Sequence, residues 1–368
     1  MLKKSIAETV QTLDAADKEA YRKLVAPLGS FPAHPFLMAN FGLKSLRSAR
    51  GFAEKYFTGE RARAVFAGCA AHSMIPLEDV PGAAVGFILT LTAHAVGWGF
   101  PRGGTQKLSD ALAAYFLSLG GEIQINRRVE NVDELPPSRA VLFDLSPRQI
   151  VKIAGHRLPA RYRRRLENYR YGAGVFKMDF ALSEPVPWRA KECALAGTVH
   201  LGGTLDEIAA AERRHADGHA PGKPFVLLAQ TSLFDSTRAP DGKHTLWAYA
   251  HVPNNSAFDM TESIENQIER FAPGFRDCIL AKSIMSPFDL EKYNANYIGG
   301  DISGGANILS QFFTRPLARW NPYSMPVKGF YICSASTPPG GGVHGMCGFY
   351  AAKSALASEF KINLKRLG

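Results

Sequence analysis

Residues 336–352 read STPPGGGVHGMCGFYAA. Gly340, Gly342 and Gly345 satisfy a GxGxxG spacing between an apolar strand-like run, Gly329 to Cys333, and a helical stretch reaching about Phe360. A glycine turn between strand and helix exposes backbone N–H groups, and a helix N-terminus carries about half a positive charge. Such a place suits a phosphate, a carboxylate or the electron-rich edge of an aromatic cofactor. The first unit of a dinucleotide-binding fold needs more: a second strand and an acidic ribose ligand about 20 residues on. Only eight residues follow Phe360. The loop is therefore not that opening turn. It is either an anion-binding turn of another kind or a glycine loop that lets helix and sheet pack closely.

Outward from this loop the pattern is mixed. The first hundred residues read as helices. Ser5 and Glu8 have capping-box spacing, and Ile6, Val10, Leu13 and Leu24 keep a helical period. Breaks follow at Pro27, Gly29, Pro32 and Pro35, and then an amphipathic basic stretch runs from Leu43 to Phe57. From Pro101 the elements alternate. Leu108, Leu112, Tyr115 and Leu119 share a helix face that ends at Gly120-Gly121. Ile123 and Ile125 predict a short strand, and Ala140 to Phe143 a buried one; Ser146-Pro147 starts a helix. From about Tyr171 the pattern turns antiparallel. The strands are Val175 to Phe180, Phe225 to Thr231 and His244 to Val252, the last two joined through Pro240, Asp241 and Gly242. Ile264, Ile268 and Phe271 mark a helix closed by Pro273-Gly274.

The chain has 368 residues and 46% hydrophobic composition, enough for a sizeable core without disulfide or metal staples. Its 43 basic and 33 acidic residues leave a net charge of +10, which favours anionic partners. Cys69, Cys193, Cys278, Cys333 and Cys347 include no CxxC pair; scattered thiols argue against a disulfide framework and a cysteine zinc site, and fit a cytoplasmic protein. Residues 81–101 carry no formal charge. Gly82, Gly86, Gly97, Gly99 and His94 dilute the stretch, so it reads as a buried helix lining an apolar cavity rather than a membrane span.

The segment YICSASTPPGGGVHGMCGFYAA, 331–352, closely resembles the C-terminal flavin-binding segment of phytoene dehydrogenase-like FAD-dependent oxidoreductases, related to carotenoid desaturases and amine oxidases. The resemblance continues through NYIGGDISGGANILSQFFTRP from Asn296, DSTRAPDGKHTLWAYAHVP from Asp235, and PRGGTQKLSDALAAYFLSLGGEIQINRRVENV from Pro101. It implies a mixed α/β fold: an incomplete FAD-binding Rossmann-like domain, plus a substrate domain of antiparallel sheet and helices. The expected segments are 1–100 (helical part of the substrate domain), 101–150 (FAD domain), 151–323 (substrate sheet) and 324–368 (FAD domain). With the strand–glycine–helix order, it sets Gly329–Cys333 beside Ala140–Phe143 and directs the last helix, from near Val343, into the largest cavity. The resemblance places Val129 along the adenine and Ser334, Ala335 and Ser336 near the pyrophosphate and ribityl chain. Gly342, Val343, Gly345 and Met346 fall at the isoalloxazine, with the Pro101–Thr105 turn approaching from the other side. It implies FAD as cofactor and a small hydrophobic, polyene- or isoprenoid-like substrate. The family's opening βαβ unit has no counterpart here. The expectation is a truncated reading, a βαβ unit supplied elsewhere, or a non-catalytic remnant or interaction protein that has lost FAD.

Weaker candidates fall away. His344 could donate a proton near the ring, but a helix cap accounts for it as well. His215 and His219 are four apart, yet Gly218 and Pro221 read as a loop, so no metal site is expected. Tyr162, Leu166 and Tyr169 make the run from Arg161 through Arg163, Arg164 and Arg165 to Arg170 an amphipathic helix with a solvated basic face. Peripheral association with an anionic membrane is its alternative use, and nucleic acid is not expected.

Overall fold

The computed structural model describes residues 1–25 and 42–362; the expected breaks from Pro27 to Pro35 lie outside them. Seven strands occur among these residues. They are β1 (Val141–Phe143), β2 (Gly174–Leu182), β3 (Thr198–Leu201), β4 (Val226–Ala229), β5 (His244–Val252), β6 (Ile279–Met285) and β7 (Phe330–Ile332). They build a two-stranded sheet, β1-β7, and a five-stranded sheet in the order β3-β4-β5-β2-β6. The chain divides into two compact units, Met1–Ile123 with Val175–Ser286, and Gln124–Gly174 with Pro287–Gly368. These divisions do not coincide with the expected ones at 101, 151 and 324. The helices Pro147–Ala154 and Ala160–Glu167 share one core with Leu317, Met325 and Ile332, which keeps 151–174 in the second unit.

In the first unit β3-β4, β4-β5 and β2-β6 pair antiparallel. Side chains alternate between the sheet's faces. Val226, Leu228, Leu246 and Ala248 join Ile264 and Ile268 of the helix Thr261–Phe271 in one core. Leu227, Trp247 and Tyr249 face a second core with Leu205 and Ile208 of the helix Leu205–Ala216. That core also holds the aromatic group Phe52, Phe57, Phe66 and Phe87 from the N-terminal helices. Ser5 Oγ accepts from the Glu8 N–H at 3.3 Å, while the Glu8 carboxylate pairs with Lys3 instead of closing the box.

The uncharged stretch forms the helix Gly82–Ala95, and its small residues do bring it close to the helix Glu60–Ala70. A Cβ at Gly86 would lie 2.9 Å from the Phe66 ring and 3.1 Å from Ala70. Only one face is covered, however. Ile88 is half exposed, and Val96 and Trp98 lie open beyond the helix end. No helix among the described residues is long and apolar enough to cross a membrane. The helix Gln106–Ser118 forms as its periodicity predicts and stops before Gly120 at φ +83°, yet none of its residues is buried. The expected strand at Ile123 and Ile125 does not form, and both side chains are exposed. Alternation alone leaves a strand's N–H and C=O groups to water unless a neighbour pairs with them.

In the second unit β1 and β7 run parallel, with Val141 opposite Phe330 and Phe143 opposite Ile332. Phe143, Ile150, Ala154, Tyr162, Leu166 and Ile332 fill its core. The arginine-rich helix, Ala160–Glu167, buries Tyr162 and Leu166 and exposes Arg161, Arg163, Arg164 and Arg165, as its spacing predicts.

Candidate functional site

Parallel strands direct their carboxyl ends to one side, where ligands of α/β sheets collect. Here both strands end level, and the Cys333 N–H donates to the Phe143 carbonyl at 3.0 Å, which extends the ladder by one rung. A cavity of about 440 Å³ lies against β1 and the turn after it, lined by Val129, Leu142, Asp144 and Asn296 among others. Asn296 fixes that turn: its side chain accepts from the Ser146 N–H at 2.8 Å and donates to the Asp144 carbonyl at 3.2 Å. Val129 thus stands in a cavity wall beside the end of β1.

Beyond β7 the chain folds tightly. The N–H and hydroxyl of Thr337 both donate to the Ser334 carbonyl, at 2.9 and 2.8 Å. Ser334 and Ser336 are buried, and the Ser336 hydroxyl donates to the Gly304 carbonyl at 2.8 Å, which also accepts from Tyr169 at 2.9 Å. A Cβ at Gly304 would come within 2.7 Å of Ala335, so only glycine lets the two loops touch. Beneath them lies Asp301, fully buried, accepting from the N–H groups of Gly172 at 2.8 Å and Ser303 at 2.7 Å. Burial raises its pKa, against the pull of those N–H groups and of Arg315. Arg315 is 2% exposed. Its guanidinium donates to Asn307 Oδ1 at 2.8 Å and makes long contacts, 3.4 Å, to the Ala306 and Ala335 carbonyls. Its Nε is buried with no hydrogen-bond partner, and Nη1 lies 3.2 Å from where a Cβ on Gly340 would stand.

The glycine turn itself is open. Residues 341–345 are exposed, with Val343 at 90%. Gly345 takes φ +64°, outside the helical region, so the last helix starts at Met346 rather than near Val343 and runs to Glu359. His344 Nδ1 accepts from the Met346 N–H at 3.0 Å, which makes it a helix cap. The Cys347 thiol, 3.5 Å from the Thr337 and Gly340 carbonyls, ties the first turn down. The turn does not line the 440 Å³ cavity against β1.

The structure therefore gathers Ser334, Ala335 and Ser336 at the strand ends, leaves Gly342, Val343, Gly345 and Met346 on an exposed turn, and sets Val129 in a cavity wall. In the first unit two other segments meet: the Gly103 N–H donates to the Asp235 carboxylate at 2.6 Å, and Arg238 donates to the Gly103 carbonyl at 3.0 Å. Residue reasoning missed Asp301, Arg315 and Tyr169. The signal for Asp301 and Arg315 was the GGD–SGG and TRP pattern at 299–316, whose use shows only through contact. These residues fit an anionic aromatic cofactor. A buried cation with an unfilled donor underlies the loop, Gly340–Gly342 present backbone free of side chains, and a helix N-terminus faces solvent.

No protein-family model matches the chain. It is 27% identical over 343 residues to a mouse protein, pyridine nucleotide-disulfide oxidoreductase domain-containing protein 2, covering 81% of this chain and 58% of that protein. The chain thus spans less than two thirds of that relative's length. It is 26% identical over 377 residues to a phytoene desaturase (lycopene-forming) of Pantoea ananas, covering 94% of this chain and 73% of that one. Among solved structures, an oxidoreductase from Methanosarcina mazei shares the fold with TM-score 0.61 and 16% identity, over 96% of this chain and 75% of that one. Putrescine oxidase bound to putrescine does so with TM-score 0.55 and 14% identity, over 94% and 76%. In sequence the chain is similar to the phytoene dehydrogenase-like FAD-dependent oxidoreductases, and it shares its fold with oxidoreductases of known structure.

Proposed function

We propose that the second unit binds FAD and that the chain takes part in an oxidoreductase reaction on a hydrophobic, polyene- or isoprenoid-like substrate. The observation that carries the cofactor reading is the strand–glycine–helix turn beyond the ends of β1 and β7, seated on Gly304, Asp301 and Arg315. The substrate class rests on relatives named as phytoene desaturases. Bound FAD supplies two-electron chemistry at a C–H bond, or isomerisation. The chain's own part is to hold and orient. Ser334–Ser336 fix the turn, Arg315 places positive charge beneath it, and the helix N-terminus at Met346 offers a partial positive charge to anionic groups. His344 is committed to its cap, and no side chain of the site is assigned as acid or base.

A βαβ unit supplied elsewhere belongs to this reading. Its support is the apolar face of the helix Gln106–Ser118, where Leu112 and Tyr115 are exposed, and β1, which among the described residues pairs only with β7. The same exposed surfaces favour a second reading, an interaction protein without FAD. Titrating the chain with FAD and following flavin fluorescence separates them. The expected result is weak binding by the chain alone and binding at least tenfold tighter with a co-expressed βαβ unit. Each charge-assisted hydrogen bond to a pyrophosphate contributes about 1.5–3 kcal/mol, and 1.4 kcal/mol is about tenfold. No binding under either condition would leave the interaction protein as the reading. Peripheral membrane association is proposed for the exposed arginines of Ala160–Glu167, and flotation with anionic vesicles that charge reversal at Arg164 and Arg165 abolishes would support it.

A further inference from the structure

One face of the five-stranded sheet carries polar groups inside an otherwise apolar core. Alternation along β5 sets His251 on the same face as Trp247 and Tyr249, under the helix Leu205–Ala216. That helix, opened by a Thr204–Glu207 capping box, presents Glu212 and His215 one turn apart on its buried side. Glu212 is 1%, His215 4% and His251 2% exposed. The Glu212 carboxylate lies 3.0 Å from His215 Nε2 and 2.9 Å from His251 Nδ1. One ligand atom from each residue falls within 4.8 Å of the other two. The sequence reading of this region as a loop is thus corrected: His215 is helical, and its partners are not His219 but Glu212 and His251.

A proton-only network explains this cluster incompletely. A fully buried carboxylate is costly, here beside a His251 ring that packs on Phe225 and Tyr249, and apolar residues of similar volume commonly serve stability as well or better. His251 turns Nδ1 toward the Glu212 carboxylate, so Nδ1 is the nitrogen it offers to an ion at this cluster, while Nε2 lies on the far side of the ring. Two imidazoles and one carboxylate form a donor set typical of zinc, with a fourth position left for water. Metal–ligand lengths of about 2.0–2.2 Å put neighbouring tetrahedral ligands about 3.3 Å apart. The two edges to Glu212, at 2.9–3.0 Å, need an expansion of only a few tenths of an ångström, and the two imidazole nitrogens, within 4.8 Å of each other, close on the ion. Magnesium and calcium prefer all-oxygen sets, so the nitrogen donors select a transition metal.

We propose that Glu212, His215 and His251 bind one divalent transition-metal ion of the zinc class, clamping the helix Leu205–Ala216 onto β5. The three ligands lie in the first unit, so the site stands whether or not the second unit binds FAD.

The test uses the full chain, stripped with chelator and titrated with Zn2+ alone, then with Co2+ as a spectroscopic probe. Expected are one equivalent of zinc per chain by mass spectrometry, a raised unfolding temperature, and the visible absorption of tetrahedral cobalt. His215→Ala and Glu212→Gln should weaken binding at least about 100-fold, while His219→Ala, an exposed position, leaves it unchanged. Zinc held equally by His215→Ala and wild type would overturn the site. So would a wild-type chain whose unfolding temperature ignores zinc and whose cobalt form lacks those bands, a result that stands even if the variants fail to fold.

Discussion

Arg315 shows how much one side chain can hold without touching a ligand. Its guanidinium links Asn307 to the carbonyls of Ala306 and Ala335, beneath the turn that the last strand feeds. Arg315→Met removes these donors and leaves Asp301 buried without its nearby cation. Breaking such a network should cost about 2–4 kcal/mol; urea unfolding measures it, and an unchanged midpoint would show that the loops stand without the arginine. The histidines of the first unit make a pH prediction. His72 and His200 are 2.9 Å apart, Nε2 to Nε2. Burial, and next the His200 neighbour, hold His72 well below its usual pKa; burial, and next His251, lower His200 to about 4. Both are neutral in the folded chain near neutrality. Below about pH 6.5 the unfolded chain takes up their protons and the folded chain does not. Their contribution is therefore intact above about pH 6.5 and declines as pH falls toward 4, by up to about 1.4 kcal/mol per unit for each group. Glu212 acts in a lower window. Burial alone would raise it, but His251 and His215 hold it at about 2, so its contribution is lost only below about pH 4.5. Denaturant midpoints at about pH 7 and pH 5 should differ accordingly, and a His72→Gln, His200→Gln double variant should flatten the difference.

At the scale of elements, packing rather than propensity decides what a glycine is for. Gly86 sits where the helix Gly82–Ala95 presses on Phe66 and Ala70. Gly86→Val overfills that contact and should destabilise by about 1–3 kcal/mol in thermal or denaturant unfolding. At Gly348, inside the helix Met346–Glu359, an added Cβ would meet nothing within 4 Å. Gly348→Ala should stabilise by about 0.5–1 kcal/mol. Equal effects at the two positions would contradict the packing argument. The helices and central strands with a clear period were legible in sequence. The edge strand β6 was not, because nearly all of its residues are exposed and no buried alternation marks it. The helix Leu205–Ala216 was missed although Thr204 and Glu207 announce its start; the turn residues after it, Gly218 and Pro221, dominated the reading.

At the scale of the whole molecule, exposed apolar surface makes the prediction. Leu112, Tyr115 and Leu119 are each more than 60% exposed. Monomeric proteins seldom leave such a stripe uncovered. Leu112→Glu with Tyr115→Glu should change stability by no more than about 0.5 kcal/mol, since neither side chain is buried, and should lower aggregation measured by light scattering. If a βαβ unit covers this helix, the same pair should abolish its capture and the gain in FAD affinity that accompanies it. A large loss of stability would instead show that the stripe is already packed.

Local sequence settled what depends on neighbours along the chain. It determined the strand–glycine–helix order at Gly329–Glu359, the β1–β7 partnership as an expectation from resemblance, the antiparallel hairpin across Pro240–Gly242, and the solvated arginine face. Helical and strand periods are short-range properties, and glycine at a forced φ is visible in the letters themselves. Only the tertiary structure decided which of these features met. Asp301 and Arg315 join Ser334–Ser336 across a loop, and Glu212 and His215 join His251 across a helix and a strand. The exposure of the glycine turn and of the helix Gln106–Ser118 was likewise beyond the sequence. Periodicity states which residues could be buried; only the placement of other segments determines whether anything covers them.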